Sequence, residues 1–398
     1  MSQSQEGWGR GKFCRISTMD FAGIQEKLRA NFAGRVLLWV LSLFYRAGVA
    51  ARKAAYDAGF MKSFSVNARV VCFGNITTGG TGKTTAVMLA ARELAAAGLR
   101  PAIITRGYKR AADKDVVVIL SSRHSASWRE AGDEAYMMFE ALRDCDVPVV
   151  VCPDRVKAAR AAVDEFKSPV LLMDDGFQHF RLNRDMDVAL LDARDPFGGN
   201  SLLPLGRLRE PKSALGRAGL ILITHADLAS PERLAAAKGL AGLCNSAAPL
   251  AEAVHEPEYY LDVRNARKVP LDSIKGEATA LSAVGDPQSF EDTLRKLGLE
   301  LTQKWRYPDH HPYTLAELAD ASRLCGGRPL ITTYKDFTRF PENWRDALDG
   351  GVYILSIHMR IRGRDGIENW RKAIHPALAA AQPEKPCKPY RKPARKAG

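Results

Sequence analysis

The sequence predicts an α/β protein with a mostly parallel sheet, a second and smaller α/β part after it, and an apolar helix ahead of both. Three observations predict this. Short apolar runs alternate with Ala/Leu-rich stretches over most of the chain. One of those runs feeds a glycine-rich loop that opens a helix. An uncharged run at 36–44 stands before everything else. The composition, 398 residues with 46% hydrophobic and 26% charged, excludes a disordered, collagen-like or polytopic membrane chain. Seven cysteines without a C-x-x-C pair indicate neither a disulfide framework nor a zinc knuckle, and point to a reducing cytoplasm.

Charge is concentrated at the ends. Residues 1–62 carry ten basic and four acidic side chains, and residues 382–398 carry six and one, out of a net +13. Residues 1–20 read as a disordered extension. The stretch 21–62 reads as a membrane-associating helical region. Its run Val36-Leu37-Leu38-Trp39-Val40-Leu41-Ser42-Leu43-Phe44 spans roughly 14 Å as helix, about half a hydrocarbon core. With Arg35 before it and Arg46 after, it suits a helix lying on a membrane surface. A helix packed on the protein itself is the alternative. The Lys/Arg/Pro-rich tail 379–398 reads as disordered, either solubilising or drawn to anionic lipid. No nucleic-acid module is evident, so no nucleic acid is expected as partner.

The next element, 69–74, is a buried strand. After it comes Asn75-Ile76-Thr77-Thr78-Gly79-Gly80-Thr81-Gly82-Lys83-Thr84-Thr85, then a helix over 86–97. Glycines let backbone N–H groups curl round phosphates, the helix start adds positive potential, and Lys83 reaches the β- and γ-phosphates. The Thr84 hydroxyl is placed to ligate Mg²⁺. Thr77 stands where the pattern G-x-x-x-x-G-K-[ST] has its first glycine. The apolar stretch 168–173 then ends in Asp174 and Asp175. In a parallel sheet that end lies beside the phosphate loop, where a carboxylate can hold Mg²⁺ or cap the next turn. The fold is thus P-loop NTPase-like.

Strands are expected at 101–105, 147–152, 187–191 and 220–224, with helices at 131–143 and 156–166. The first domain is placed at 63–250, a linker at 251–276, and a smaller α/β domain at 277–378. That second domain has strands at 279–284, 329–333 and 352–357 and helices near 288–297 and 314–325. Guanine-binding NTPases use an Asn/Thr-Lys-x-Asp segment, and Thr224-His225-Ala226-Asp227 comes near it with His225 in place of Lys. A membrane-associated GTP-dependent switch or metal-insertion factor is therefore the second reading, and a non-catalytic adaptor the third.

The set Gly74-Asn75-Ile76-Thr77…Gly82-Lys83-Thr84, Thr105-Arg106-Gly107-Tyr108, Gly132-Asp133-Glu134, Asp174-Asp175-Gly176-Phe177-Gln178-His179 and Leu203-Pro204-Leu205-Gly206-Arg207-Leu208-Arg209-Glu210-Pro211 resembles the tetraacyldisaccharide 4'-kinase family. So do Tyr307-Pro308-Asp309-His310-His311 and Thr332-Thr333-Tyr334-Lys335-Asp336. The resemblance covers about residues 60 to 375, and the loop without its first glycine fits it too. It implies an ATP- and Mg²⁺-dependent lipid A 4'-kinase at the cytoplasmic face of the inner membrane. The acceptor would be the 4'-hydroxyl of a tetraacyl glucosamine disaccharide 1-phosphate, with no obligate protein partner. It implies that residues 77–85 hold ATP and that Thr84, Asp174, Asp175 and Glu210 hold the metal. Asp133 would be the base, with His310 orienting it and Asp175 also in the catalytic set, while Arg106, Gln178, His179 and Arg209 would meet substrate.

The residues themselves leave alternatives. Asp133 could cap the helix that starts there. His311 rivals His310. Arg209 and Glu210 could be a plain ion pair, and Arg106 could pair with a carboxylate. His179 could order the Asp174 turn. Lys335 and Asp336 could touch nucleotide or only stabilise their domain.

Overall fold

The computed structural model describes residues 21–376. The expectations for 1–20 and 379–398 lie outside the described residues. The chain opens with α1 (Phe21–Ala30) and α2 (Phe32–Asp57). Asn31 starts α2, its side-chain oxygen accepting from the Gly34 N–H at 2.6 Å. The apolar run is the middle of a much longer helix than its nine residues suggested. At 26 residues α2 spans about 39 Å, and by length and composition alone it could cross a membrane. Gly34, Leu38 and Ser42, four residues apart, form its one buried stripe. Phe32, Leu37, Trp39, Leu43 and Phe44 are exposed.

Next come β1 (Arg69–Gly74), α3 (Lys83–Ala96), β2 (Pro101–Thr105), β3 (Val118–Leu120), α4 (Trp128–Ala131) and α5 (Asp133–Ala141). The single helix expected at 131–143 is broken at Gly132. This residue has φ +92°, and a Cβ there would sit 3.0 Å from the Tyr108 carbonyl oxygen. The close approach needs glycine, and it makes Asp133 the first residue of α5. Then follow β4 (Val149–Val151), α6 (Arg155–Phe166), β5 (Val170–Met173), β6 (Met186–Asp192), β7 (Leu220–Thr224) and α7 (Pro231–Cys244). Six of these strands run parallel in the order β7-β6-β1-β5-β2-β4, with β3 antiparallel at the edge.

The expected linker at 251–276 is a correction. Most of it is β8 (Leu250–Asp262) and β9 (Arg267–Val269). After β10 (Gly276–Ser282), α8 (Pro287–Lys296), β11 (Leu299–Arg306), α9 (Leu315–Cys325), β12 (Leu330–Thr332) and α10 (Tyr334–Phe337), the chain returns as β13 (Val352–Arg362) and ends in α11 (Arg364–Ile374). All thirteen strands among the described residues form one sheet, with β11-β10-β12-β13 continuing from β8. The two parts expected to be separate are joined edge to edge.

The join sets the geometry. β8 and β13 are antiparallel and pair from Glu252–Arg362 to Asp262–Tyr353. β7 attaches near Glu252 and β12 near the other end, beside Ile354. About 30 Å of two-stranded ribbon separates the attachments. The parallel strands on either side run in opposite directions, so their carboxyl ends face each other along the ribbon. Ligands of open α/β sheets bind outside those ends. Helix α11, expected within the second domain, instead packs on the first group of strands. Trp370 is fully buried, its ring lies 5.9 Å from that of Phe73, and its indole N–H donates to Glu93 at 3.1 Å.

Candidate active site

The phosphate loop sits where buried β1 ends between its parallel neighbours β5 and β6. Gly82, with φ +78°, is the N-cap of α3 and Lys83 its first residue. The Lys83 ammonium lies 3.3 Å from Asn75 Oδ1 and 3.5 Å from Asp175 Oδ1. Asn75 in turn donates to Thr81 Oγ1 at 3.0 Å. The loop's outer flank is held by a second segment: Thr78 N–H donates to the Arg207 carbonyl at 2.7 Å, and Arg209 N–H to the Ile76 carbonyl at 2.6 Å. Thr77 is thus paired with Leu208 as a short bridge, a role for which glycine offers no advantage.

Asp174 and Asp175 follow β5 directly, and their surroundings differ. Asp174 is 3% exposed. Its Oδ2 accepts from the Thr105 hydroxyl at 3.2 Å, while Oδ1 is buried without a protein partner. Burial, then the nearby charges of Asp175 and Glu134, raise its pKa to about 6. Asp175 takes a left-handed conformation at φ +46° that turns its carboxylate outward. Burial raises its pKa too, but Lys83 and Arg209 outweigh this and hold it below the usual range. One Arg209 nitrogen reaches both Asp175 oxygens, at 3.0 and 3.2 Å.

Glu210, expected at the metal, is turned elsewhere. Arg217 donates to both its oxygens, at 2.9 and 3.0 Å, and Gln178 to one of them at 2.9 Å. The same Gln178 amide donates to the Asn75 carbonyl at 2.9 Å. Glu210 therefore anchors Gln178 beneath the loop. His179 is half-buried. Burial, then the charge of Arg155, lowers its pKa to about 4, so it is neutral at pH 7. Its backbone N–H donates to the Gly176 carbonyl at 2.8 Å within the turn. Arg106, just past β2, is exposed. Among the described residues no three His, Cys, Asp or Glu side chains converge as a metal cage.

The same 202–210 segment receives α2. Ser42 donates to the Leu202 carbonyl and accepts from the Leu205 N–H, each at 3.0 Å, and the Tyr45 hydroxyl donates to the Arg209 carbonyl at 3.0 Å. The apolar helix therefore lies one short segment away from the phosphate loop.

From the facing strand group comes the second half of the site. His310 Nδ1 lies 2.7 Å from Asp133 Oδ2, across 177 residues of sequence. His311 instead pairs with Glu317 at 3.0 Å and stacks on Tyr307. His310 has φ +67°, which turns the two neighbouring imidazoles to different sides. Asp133 is the first residue of α5 and Gly132 is its N-cap, so the side chain does not serve as the cap. Its Oδ1 accepts from the Glu134 N–H at 2.9 Å, and its Oδ2 meets His310. Burial raises the Asp133 pKa, but His310, Lys335 and Arg339 outweigh it and hold it below the usual carboxylate value. Lys335 is tied to Asp309 at 3.0 Å. Asp336 is fully buried and receives the Tyr313 hydroxyl, the Ala283 N–H and Arg339. It stabilises this half instead of facing a ligand.

Sequence reasoning missed Asn75, Thr105, Arg217 and Arg339. Arg339 is 2% exposed and lies between Asp133 and Asp336, at 3.7 and 3.1 Å. No pattern in the chain marks a buried arginine. Asn75 and Thr105 stand inside segments already singled out but without a role, and Arg217 follows the 203–211 segment by six residues.

Comparison with known proteins points to one family. The family model described as tetraacyldisaccharide-1-P 4'-kinase matches residues 34–374. A tetraacyldisaccharide 4'-kinase of Elusimicrobium minutum (strain Pei191) is 51% identical over 359 residues, covering 90% of this chain and 96% of the relative. One from Anaeromyxobacter sp. (strain K) is 38% identical over 347 residues, covering 86% and 90%. Among solved structures, LpxK from Aquifex aeolicus in complex with ATP superimposes with a TM-score of 0.67 at 28% identity, covering 85% of this chain and 99% of that one. Phosphate loop, paired aspartates and the distant aspartate–histidine pair all fall within the matched span, and the chain belongs to the tetraacyldisaccharide-1-P 4'-kinase family.

Proposed function

We propose that the protein transfers the γ-phosphoryl group of ATP to the 4'-hydroxyl of a tetraacyl glucosamine disaccharide 1-phosphate, giving the bis-phosphorylated lipid A precursor, lipid IVA. The observation that carries the reading is the meeting of a phosphate loop with a carboxylate–imidazole pair. Glu134, next to Asp133, and Lys83 both act on the charge of Asp174, which supports reading the two halves as one site.

The loop amides of 77–82, with Lys83, Thr84 and Thr85, hold the ATP phosphates. Lys83 is pre-aimed by Asn75 and Asp175, and exchanges these partners for phosphate oxygens. Thr84, Asp174 and Asp175 fit a magnesium ion, because Asp174 Oδ1 is buried and lacks a protein partner. Two carboxylates without a full protein cage suit an ion that takes its remaining ligands from phosphate and water. When bound, Mg²⁺ neutralises charge on the β- and γ-phosphates. Arg209 and Arg106 line the open side, where the acceptor enters, and Gln178 and His179 shape the turn beneath it.

The acceptor hydroxyl must lose a proton as it attacks. The Asp133–His310 pair takes it, with Asp133 as the base and His310 fixing the orientation of Oδ2. Holding the pair requires the strand groups on both sides of the β8–β13 ribbon. The apolar side chains exposed around the docked stripe of helix α2 support a site at the cytoplasmic face of the inner membrane, within reach of a tetraacylated acceptor.

The test is transfer of labelled γ-phosphate from ATP to the disaccharide 1-phosphate in detergent micelles with Mg²⁺, wild type beside Lys83→Ala. Labelled lipid from wild type alone supports the reading. Acceptor-independent hydrolysis with no lipid product would favour the switch-like NTPase instead.

A further inference from the structure

Against the phosphate loop, at Gly82 and Thr85, lies a half-buried pair of histidines. His255 belongs to β8 and His225 follows β7. Their rings stack at 4.6 Å with 26° between planes. His255 Nε2 is 2.8 Å from Thr85 Oγ1, and the Thr85 hydroxyl donates to the Gly82 carbonyl at 2.8 Å. A hydroxyl has one proton. Since that proton goes to Gly82, the His255 contact is an Nε2–H donating to Thr85. His255 is therefore the neutral Nε2–H tautomer, and its Nδ1 is bare and buried without a partner. Burial, then His225, pushes its pKa down to about 3, with Arg194 and His358 acting the same way and Asp192 against them. It stays neutral throughout the working range.

The contact is also steric. A Cβ on Gly82 would lie 2.8 Å from His255 Cε1, 2.9 Å from Nε2 and 3.2 Å from Met359 Cε. Met359 is the β13 partner of His255 in the ribbon. The ribbon thus presses on the residue that caps α3, and the imidazole supplies a hydrogen bond at the same point. A second brace is near: Thr224 Oγ1 donates to the Thr81 carbonyl at 3.0 Å. The segment Thr224-His225-Ala226-Asp227, which comes close to a guanine-reading motif, here supports the loop.

We propose that His255 is a positioning residue for nucleotide binding: its Nε2–H fixes the Thr85 hydroxyl, and through it the Gly82 carbonyl and the start of α3 carrying Lys83 and Thr84. The inference rests on reading this loop as the ATP site. It ties the grip on phosphate to the ribbon that joins the two strand groups.

The test uses the full-length protein with His255→Phe, which keeps a ring but loses the donor, and His255→Gln, whose amide can donate from a similar place. ATP affinity is measured by calorimetry, alongside KM for ATP, KM for the lipid, kcat and Tm. His255→Phe should raise the ATP Kd and KM about five- to tenfold, the worth of one well-placed hydrogen bond, and leave the lipid KM within about twofold. His255→Gln should recover most of the loss. A double-mutant cycle guards against a fold defect: in a Thr85→Val background, His255→Phe should cost little more. Unchanged ATP affinity in a folded His255→Phe protein overturns the proposal, and so does additivity with Thr85→Val. If wild type itself binds no ATP, it is the reading of the loop that fails.

Discussion

The phosphate-loop side of the cleft is built mainly on one stretch of chain, 75–85, stiffened by β1, α3 and the 202–210 segment, with Asp174 and Asp175 beside it. The opposite side collects Asp133, His310, Lys335 and Arg339 from separate places and joins them through side-chain contacts. Backbone geometry makes the first side, and the relative placement of two strand groups makes the second. Damage to the first should abolish nucleotide binding and chemistry together. Damage to the second should spare binding.

The largest expected effects test that separation. Lys83→Ala should lower kcat/KM by about 10³-fold or more, since it removes the cation facing the phosphates. Asp133→Asn should lower kcat by about 10²- to 10⁴-fold, the range of a lost general base, with ATP affinity within about twofold of wild type. Calorimetry with ATP beside steady-state kinetics decides it. Equal loss of ATP binding in both variants would mean that the two sides are not separable.

The same contrast governs what the sequence could tell. The strand, loop and helix around Lys83 were legible because glycines, lysine and hydroxyls act through adjacent backbone. The Asp133–His310 pairing was legible only through family resemblance, and the choice of His310 over His311 needed the φ of one residue. The ribbon was misread as a linker for a physical reason. Pro257 argues against a strand, and Glu252, Glu256 and Glu258 interrupt the apolar pattern. In the fold the pairing shifts register here: Tyr259 faces Ser356 and Pro257 faces Ile357, so Glu258 bulges out and is exposed. Helix α11 was misassigned because its burial on Phe73 is a long-range contact that no local pattern encodes.

Arg339 gives the next effect in size. It donates to Asp336 at 3.1 Å and to the Lys335 carbonyl at 3.0 Å, and lies 3.7 Å from Asp133. Arg339→Met leaves two carboxylates in a buried region with their cation gone. A loss of about 3–5 kcal/mol in denaturant unfolding is expected, far beyond that of a surface arginine. Cleavage of the contrast would come from a neutral result, which would show that this side is not held by its charges.

On the phosphate-loop side the sign reverses. Asp174 has a raised pKa, about 6, so its contribution is full at low pH and is lost as pH rises from about 4 through 6. Metal-free protein at pH 7 therefore carries the cost of a buried carboxylate. Asp174→Asn should be inactive yet more stable at pH 7, by something on the order of 2 kcal/mol, and the gain should vanish below about pH 4. Thermal unfolding in chelator at the two pH values measures it.

The smallest effect separates two adjacent residues. Asp133 belongs to one side of the cleft, whereas Glu134 acts on Asp174, on the other. Glu134→Gln removes a negative charge that raises the Asp174 pKa. The fall in metal-free stability between pH 5 and 7 should then become shallower, by a few tenths of a kcal/mol. The slope is the readout, because losing an acidic side chain at the start of α5 also lowers stability by a constant amount over that range. Lys335→Met acts on Asp133, whose pKa is held below the usual value. Its contribution is present above the unfolded pKa and is lost only as pH falls through the folded one, well under pH 5. Lys335→Met should therefore leave the slope between pH 5 and 7 unchanged. Equal slopes in the two variants would place Glu134 with Asp133, and the boundary between the two sides would then not run between neighbouring residues of α5.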